Sequence, residues 1–439
     1  MRNSITFILI LIVVSCSEPF KIPNNINSEL SNTFGAGDTT FLLLSPSWDG
    51  GYGLEEPTEI SISPDGRIFV ADKGSNSIHV FNQDGSIPTG FNDLKTLKGV
   101  EGNLLYPIDV DIDNKMNVYF IDGSEIIYVW NQYWNEVGIN QVLSSIKYKN
   151  RETGVDTILD VNSELWYAIV NDLETDFLNE WELVETNFSN DDQIINNLLN
   201  PHIFYDGKDD KNTFNDTYYM SDSSRFQGIT SYQDQNNIFV VDDFGGVNNQ
   251  HRIIQINLKR HLLVELNTGD IVWAFKGEFG STIKGYGTGA GTVHQPSSLD
   301  IDYQGNLYYT QSGDFFPVHM VVPNYSGDFA IFTSGFQPGV SDIMNPDQYI
   351  DPIDVAVDED KNIYVVDQDQ MQVKVFNSQG NFFEEIEYYS QEDSIKIMIK
   401  PVAIAVDKRG VVYVCDEGAK SIHRFKLSNS LDEDIIIDN

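Results

Sequence analysis

Apolar residues alternate with polar or small residues in short runs along most of this chain. In the first such stretch, Ile60 and Ile62 are followed, after a turn, by Ile68 and Val70. Alternation with a period of two predicts β-strands that bury one face. A third apolar run follows, so each unit reads as a strand, a turn, a strand that ends in an acidic residue, and another strand. The clearest copies span residues 57–81, 106–130, 351–376 and 400–425.

Two weaker copies complete the series. Residues 225–258 and 294–324 keep the same order of strands and turns, although Gln227 stands where the other copies have Pro. The residues that end the second strands are Asp72, Asp122, Asp242, Gln311, Asp367 and Asp416. Repetition of a small β unit predicts sheets that pack on one another, with an outer strand completing four antiparallel strands per unit. The chain is therefore predicted to be all-β, a six-bladed β-propeller.

The two ends of the array predict how the ring closes. The last unit has its third strand at 421–427 and no patterned outer strand after it, whereas an unassigned apolar run at 39–48 precedes the first unit. Pairing these segments would complete blade six and remove an exposed sheet edge. We therefore expect the N-terminal strand to close blade six.

Residues 133–224 interrupt the repeat in or after blade two. A structureless loop of this length is rare inside a compact domain, so the segment is expected to contain structure of its own. We predict an inserted cap on blade two. A degenerate seventh blade is the alternative.

The first residues read as an export signal. Arg2 precedes an apolar run at 7–14 that is too short to cross a bilayer. Small residues then lead to Cys16, which resembles the lipobox cysteine of bacterial lipoproteins, the acylated residue of the mature chain. We expect an exported lipoprotein of the outer membrane, on its periplasmic face or at the cell surface, that contacts the membrane through its lipid only. The predicted organisation is a signal peptide at 1–15, a lipid-anchored tether at 16–37 and the propeller at 38–439.

The chain is strongly acidic, with 27 basic and 66 acidic side chains and a formal net charge of −39. A field of this sign repels phosphate backbones, so nucleic acid is excluded as a partner. With Cys16 lipidated, the second cysteine, Cys415, has no disulfide partner in the chain, and its apolar strand indicates a small buried residue.

The repeat pattern resembles the NHL repeat. Its consensus, P-x-x-I-x-(V/I)-(D/S)-x-(D/N)-(G/K)-x-(I/V)-(Y/F)-V-x-D, is clearest at 57–72, 352–367 and 401–416, and the resemblance covers about 57–428 except the insertion. It implies a six-bladed propeller, in agreement with the count of repeats. Known members include ligand-binding sensors, interaction platforms and a zinc- and calcium-dependent lyase that cleaves hydroxyglycine peptides. Related six-bladed lactonases hold a calcium ion in the channel.

The acidic residue that ends each second strand is predicted to be structural. A carboxylate at this point can accept backbone N–H groups of the following turn and fix the corner of the blade. A residue that recurs around the ring serves the repeat, so specialised sites are expected where the repeat is broken.

The strongest local departure is the glycine-rich segment 283–296, which leads into blade four. Four glycines give a backbone that a ligand could approach closely. Loops before the first strand and after the second strand open on the same face, so polar residues near this segment are expected to converge there. The candidate ligand-binding residues are Tyr286, His294, Gln295, Gln311, Asp314 and His319.

No catalytic residue is assigned, and metal binding stays open. The seven histidines lack HxH or HExxH spacing, although histidines from separate blades could still meet at a zinc ion. The oxygen-rich segment 206–216 could bind calcium, yet it lacks the order of an EF-hand loop. The candidate metal ligands are Asp206, Asp209, Asp210 and Asp216.

The sequence thus predicts a membrane-anchored extracytoplasmic binding or scaffold module for a protein, peptide, glycan or small molecule, with no cofactor required. The alternative is a metal-dependent lyase or lactonase with calcium or zinc in the channel. Inward histidines or paired carboxylates from three or more blades would favour that alternative.

Overall fold

The computed structural model describes most of the repeat array and part of the insertion. The described residues are 40–88, 97–99, 102–131, 147–158, 180–185, 202–207, 224–232, 237–243, 251–265, 271–312, 315–326, 329–389 and 395–430. The predicted signal peptide, Cys16 and the tether up to residue 37 lie outside these residues.

The first half of the chain contains the closing strand, blades one to three and a small extra sheet. A 3-10 turn at Gly50–Tyr52 follows the closing strand β1 (Phe41–Trp48). Within the described residues, blade one consists of β2 (Pro57–Ile62), β3 (Ile68–Asp72) and β4 (Ser77–Phe81). Blade two begins with β5 (Asp109–Ile112), β6 (Asn117–Ile121) and β7 (Ile126–Asn131). The insertion contributes β8 (Lys147–Asn150), β9 (Asp156–Ile158), β10 (Trp181–Glu185) and β11 (His202–Asp206). Blade three consists of β12 (Phe226–Tyr232), β13 (Asn237–Asp242), β14 (Arg252–Glu265) and β15 (Ile271–Gly285).

The second half contains blades four to six. Blade four consists of β16 (Pro296–Ile301), β17 (Leu307–Gln311), β18 (Val318–Ser326) and β19 (Phe329–Ser334). Two 3-10 turns, Asp342–Met344 and Pro346–Gln348, lead into blade five. Blade five consists of β20 (Pro352–Val357), β21 (Ile363–Asp367), β22 (Gln372–Phe376) and β23 (Phe382–Ile386). Blade six consists of β24 (Pro401–Val406), β25 (Val412–Asp416) and β26 (Ser421–Leu427), and a 3-10 turn at Ser428–Ser430 follows.

Six of the sheets form a closed ring. In each blade neighbouring strands are antiparallel, and they follow one another in chain order except for β1, which joins blade six. The strand that begins each repeat lies innermost. The inner strands contact one another around the ring in the order β2, β5, β12, β16, β20 and β24, and β24 returns to β2. The prediction of a six-bladed propeller is confirmed.

The closing strand β1 pairs antiparallel with β26 and becomes the outer strand of blade six. Trp48, at the end of β1, is fully buried, and its ring lies 5.2 Å from Phe81 of blade one and 5.8 Å from Tyr413 of blade six, between ring centroids. Burial of aromatic side chains of this size contributes strongly to stability. The N-terminal strand therefore closes the ring, as predicted, and also ties blade six to blade one.

The insertion lies within blade two. Its last strand, β11, pairs with β7 and forms the outer edge of that blade. The other three strands form a separate sheet in the order β10-β8-β9, outside the ring. The insertion therefore leaves blade two after its third strand and returns as its fourth. That it forms a cap stays a prediction.

The second strands carry most of the core. β3, β6, β17, β21 and β25 are buried at every residue, because each lies between two strands of its own sheet and between the neighbouring blades. Cys415 of β25 is fully buried, and burial raises the pKa of its thiol well above the ordinary value. The prediction of a buried structural cysteine is confirmed. Among the described residues, no helix has the length and apolar character needed to cross a membrane.

The carboxylates that end the second strands fix the blade corners, as predicted. Asp72 accepts hydrogen bonds from the backbone N–H groups of Glu55 and Glu56, both at 2.8 Å, and from Gly74 at 3.0 Å. In blade six, Asp416 accepts from residues 399, 400 and 419 in the same way. Each of these carboxylates therefore joins the segment before the first strand to the turn after the second.

Stability at low pH is expected to depend on these corners. Burial alone would raise the pKa of Asp72, but hydrogen bonds from His79 and from backbone N–H groups outweigh it and lower the pKa to about 2. A free aspartate has a pKa of about 3.9. The contribution of Asp72 to the free energy of unfolding is therefore present above pH 4 and is lost as the pH falls towards 2. It amounts to about 2 kcal/mol.

We predict that Asp72→Asn lowers the free energy of unfolding by about 2 kcal/mol at pH 7 and by much less at pH 2.5. Urea unfolding measured across this range tests the prediction. An equal loss at both pH values would show that the charge of Asp72 does not stabilise the corner.

Candidate functional site

Carboxyl groups from four blades converge on the central channel. The inner strands run side by side, and alternate residues of each strand face the channel axis. The cavity that they enclose has a volume of about 400 Å³. The carboxyl groups on the inner strands that line it, called the channel carboxyl groups below, are Glu59 of blade one, Asp109 and Asp111 of blade two, Asp300 of blade four and Asp354 of blade five.

The register of the strands places these groups at two levels. We define the first level as the inner-strand position that pairs with Ala71 of β3, or with the corresponding residue of the second strand in the other blades. The second level is the position two residues later on each inner strand. The first level consists of Glu59, Asp109, Gly228, Ser298, Asp354 and Ala403. The second level consists of Ser61, Asp111, Thr230, Asp300, Ala356 and Ala405.

At the first level, two carboxyl groups bridge one blade to the next. Asp109 accepts a hydrogen bond from the backbone N–H of Ile229 in blade three, at 2.7 Å. Asp354 accepts from the backbone N–H of Ile404 in blade six, also at 2.7 Å. The residues before these two donors are Gly228 and Ala403, whose small size leaves the carboxyl group room to reach the backbone.

The second level repeats this arrangement. Asp111 accepts from the backbone N–H of Ser231 in blade three, and Asp300 accepts from that of Val357 in blade five, the latter at 2.8 Å. The hydroxyl of Ser61 in blade one also donates to Asp111, at 2.7 Å. A bridging carboxyl group is therefore always followed around the ring by a smaller residue at the same level.

Glu59 departs from this rule. The next blade has Asp109 at the same level, not a small residue, and Glu59 accepts only from the backbone N–H of its own neighbour Ile60 among the hydrogen bonds of the described residues, at 2.8 Å. Glu59 is therefore the channel carboxyl group that is least committed to holding the blades together.

Burial and mutual repulsion raise the pKa values of these groups. Burial raises the pKa of Asp300 to about 7 and that of Asp354 to about 6. Burial also raises the pKa of Glu59 well above the ordinary value, and the nearby charges of Asp354 and Asp109 raise it further. The pKa of Asp109 rises for the same reasons. Near neutral pH the channel therefore contains protons that a positive charge could displace.

The cavity opens on the face that carries the turns between first and second strands. Its rim includes Asp65, Tyr303, Glu359 and Lys408. Of the residues that line the cavity, Lys408 is the one basic side chain, and it lies at the rim. The inner levels of the described channel are therefore acidic without a basic counterpart.

The predicted glycine-rich site lies at the other end of blade four, near the start of β16. Tyr286 and His294 are in contact, with ring centroids 5.4 Å apart. His251, which the sequence analysis did not select, lies 5.5 Å from His294 between ring centroids, and its Nδ1 is 2.8 Å from a carboxylate oxygen of Asp243. Gln295 is exposed with a φ of 54°. The structure thus brings Tyr286 and His294 together, with His251 as an added neighbour.

Gln311 and His319 support the fold of the same loop. Gln311 accepts from the backbone N–H of His294 at 2.9 Å, which is the contact that a corner aspartate makes in other blades. His319 is buried and accepts from the backbone N–H of Gly291 at 2.9 Å, and burial lowers its pKa to about 4. Asp314 lies outside the described residues.

The predicted metal ligands are mostly outside the described residues. Asp206 ends β11, where it pairs with Ile126, whereas Asp209, Asp210 and Asp216 are not described. In the described part of the chain, no three His, Cys, Asp or Glu side chains lie close enough together to hold a metal ion. The channel carboxyl groups therefore do not form a ready calcium or zinc site.

The pH dependence of stability can show whether the channel carboxyl groups are protonated. Asp300 has a pKa of about 7 in the folded chain, against about 3.9 when unfolded. The folded state holds the extra proton between these values, so the unfolding free energy falls as the pH rises from 4 to 7.

We predict that Asp300→Asn removes this fall in the free energy of unfolding. Relative to the wild type, the variant should gain about 2 kcal/mol of stability between pH 4.5 and pH 7.5. This gain is smaller than the full pKa difference would give, because the channel opens to solvent. Urea unfolding of this variant and of the rim control Asp65→Asn tests it. A wild-type profile that stays parallel to that of Asp300→Asn would contradict a raised pKa.

Comparison with known proteins supports no family assignment. No family model and no curated protein matches this chain. Solved structures resemble it at low identity. An auxiliary nutrient binding protein from Bacteroides thetaiotaomicron is 8% identical, with a TM-score of 0.44 over 89% of this chain and 77% of that one. A gluconolactonase from Xanthomonas campestris is 10% identical, with a TM-score of 0.41 over 89% and 90%.

An inactive virginiamycin B lyase from Staphylococcus aureus, in complex with quinupristin, is 11% identical, with a TM-score of 0.41 over 89% of this chain and 99% of that one. These three proteins have different activities, and likeness at this level carries no argument about function. The functional argument therefore depends on the site itself.

Proposed function

We propose that this chain is a binding module, displayed on an exported and lipid-anchored propeller, that takes a small positively charged ligand in its acidic channel. The observation that carries the proposal is the convergence of five channel carboxyl groups, from four blades, on one cavity of about 400 Å³. A cavity of this size is within the range of small-molecule sites.

The charge around the cavity supports a cationic ligand. Narrow clefts lined by one sign of charge focus the field and raise the local concentration of the opposite charge. The formal net charge of −39 adds to this field. A protonated amine that entered the channel would meet carboxyl oxygens at both levels and the hydroxyl groups of Ser61 and Ser298.

The hydrogen bonds between blades do not exhaust these groups. An ionised carboxylate offers about four lone-pair directions, and Asp300 accepts from Val357 and from its own neighbour Ile301. Acceptor capacity therefore remains for a ligand. Because the raised pKa values reflect repulsion and burial, a bound cation would favour the ionised forms and release protons.

Attachment to the membrane is the second part of the proposal. The apolar run at 7–14 followed by Cys16 supports cleavage and acylation at that cysteine. A lipid anchor would hold the acidic propeller near an outer-membrane surface while the tether at 16–37 lets it move.

A metal-dependent lyase or lactonase is the second candidate function. Carboxyl groups from four blades are the feature that favours it, and calcium is the ion that oxygen ligands prefer. Their present spacing, with each bridging group already bonded to a backbone N–H, supports the binding module instead.

We predict that Glu59→Gln weakens the binding of a small amine at least about tenfold, because it removes a carboxyl group that would ionise beside the bound cation and breaks no hydrogen bond between blades. Isothermal titration calorimetry with putrescine, tetramethylammonium and the neutral analogue 1,4-butanediol measures this. Glu55→Gln, on an exposed glutamate outside the cavity, is the matched control.

Equal affinity for the amine and the diol, or for the two variants, would contradict a cation site in the channel. Metal analysis of the dialysed protein belongs to the same experiment. A stoichiometric calcium or zinc ion that is lost in Glu59→Gln would overturn the binding module in favour of the enzyme.

We further predict that the protein incorporates labelled palmitate and fractionates with the outer membrane, and that Cys16→Ser abolishes both. Labelling in the expressing bacterium followed by membrane fractionation measures this. Membrane association of Cys16→Ser equal to that of the wild type would contradict the lipid anchor.

A further inference from the structure

A second cleft lies at the junction where the ring closes, between blade six and blade one. It has a volume of about 770 Å³ and shares Asp65, Gly66 and Gln83 with the rim of the channel. Three arginines, Arg67, Arg409 and Arg424, line it. They are three of the eight arginines in a chain whose formal net charge is −39. Their convergence in one cleft runs against the charge of the whole protein.

Arg424 is the unusual member of this group. It lies on β26 opposite Leu44 of the closing strand, and its side chain is almost completely buried, with 8% of the residue exposed. One terminal nitrogen donates to the carbonyl of Pro46 at 2.8 Å, and the guanidinium lies 5.1 Å from the centre of the Trp48 ring. Its Nε has no hydrogen-bond partner in the described part of the chain.

Among the described residues, the charged groups of the cleft form no ion pair with Arg424, and Asp84 acts on it only through its charge at a distance. Arg67 is paired with Asp65 at 3.2 Å, and Arg409 with Asp407 at 2.8 Å. Asp84 accepts hydrogen bonds from the backbone and hydroxyl of Ser86, at 2.9 and 2.6 Å. Among the described residues no carboxylate lies within 4.0 Å of the Arg424 guanidinium.

A second donor next to Arg424 also lacks a partner. The indole Nε1 of Trp48 is buried and makes no hydrogen bond within the described residues. Buried donors without partners are rare and costly, and a buried charge is more so. Arg424 lines the cleft whereas Trp48 does not. The buried guanidinium of Arg424, with an Nε that lacks a partner among the described residues, therefore indicates a site that is completed by an acceptor from outside the chain.

We infer that this cleft binds an oxyanion, namely a carboxylate, sulfate or phosphate group on a small ligand. Guanidinium groups match the planar oxygen pairs of such anions and bind them through paired N–H donors. Arg424 supplies the buried charge and an Nε without a partner among the described residues, whereas Arg67 and Arg409, each paired with an aspartate, line the walls with further guanidinium groups. This inference does not depend on the proposed function of the channel.

The test is titration of the full propeller with sodium sulfate, sodium phosphate and sodium acetate, with sodium chloride used to keep the ionic strength constant. Binding is measured by isothermal titration calorimetry and by the shift in melting temperature. We expect one saturable site for at least one oxyanion. Arg424→Lys keeps the positive charge but removes the paired N–H donors of the guanidinium, so it should weaken binding at that site at least about tenfold.

Arg67→Gln is a second test that remains available if Arg424→Lys does not fold, because Arg67 is a partly exposed side chain at the wall of the cleft. It should weaken binding about threefold. Arg151→Gln, on the exposed hairpin of the insertion, is the matched control and should change nothing. Glu59→Gln should also leave anion binding unchanged, which separates this test from that of the channel.

Two results would overturn the inference. One is the absence of saturable binding for all three anions beyond the effect of chloride. The other is an equal anion affinity in the three variants Arg424→Lys, Arg67→Gln and Arg151→Gln. That result would show an adventitious ion only.

Discussion

The hydrogen bond from a backbone N–H of one blade to a channel carboxyl group of the preceding blade is the contact on which this structure most depends. Asp109, Asp111, Asp300 and Asp354 each make one. Contacts of this kind tie neighbouring inner strands at the axis, where there is least room for apolar side chains. They work only where the following blade has a small residue at the same level, so two positions in adjacent repeats depend on each other. Glu59 is the exception, because it accepts only from its own neighbour Ile60 among the described residues.

The same contacts give the channel its electrostatic character. Acids at the axis are held close together and away from bulk solvent, which raises their pKa values. Their proton affinity is therefore a consequence of how the ring is assembled, and it prepares the cavity for a positive charge. The cleft at the ring closure shows the opposite case, because there the pairing of β1 with β26 buries an arginine beside a tryptophan. The two proposed sites are thus of opposite sign, and their linings share Asp65, Gly66 and Gln83.

The fold could be predicted from the sequence because the repeat fixes it locally. Period-two alternation, turn residues and the aspartate that ends each second strand are all visible in one unit, and the unpaired run at 39–48 predicted the closing strand. The channel could not be predicted in this way. Asp109 and Asp111 look like the ordinary polar positions of a half-buried strand, and only the register around the closed ring places them beside Glu59 and Asp354. A comparison of the repeats at these two positions would have shown which blades carry an acidic residue and which a small one.

Departures from the repeat proved an uneven guide. Gln311 was selected because it replaces a corner aspartate, yet it accepts the same backbone contact and so preserves the corner. His251 was missed because it lies in a different blade from His294.

The most direct test of the central claim is calorimetry of putrescine binding at pH 6 in buffers of different ionisation enthalpy. The account predicts that binding releases protons from the channel carboxyl groups and that Glu59→Gln releases fewer. Binding with no proton release, or with proton uptake, would contradict it.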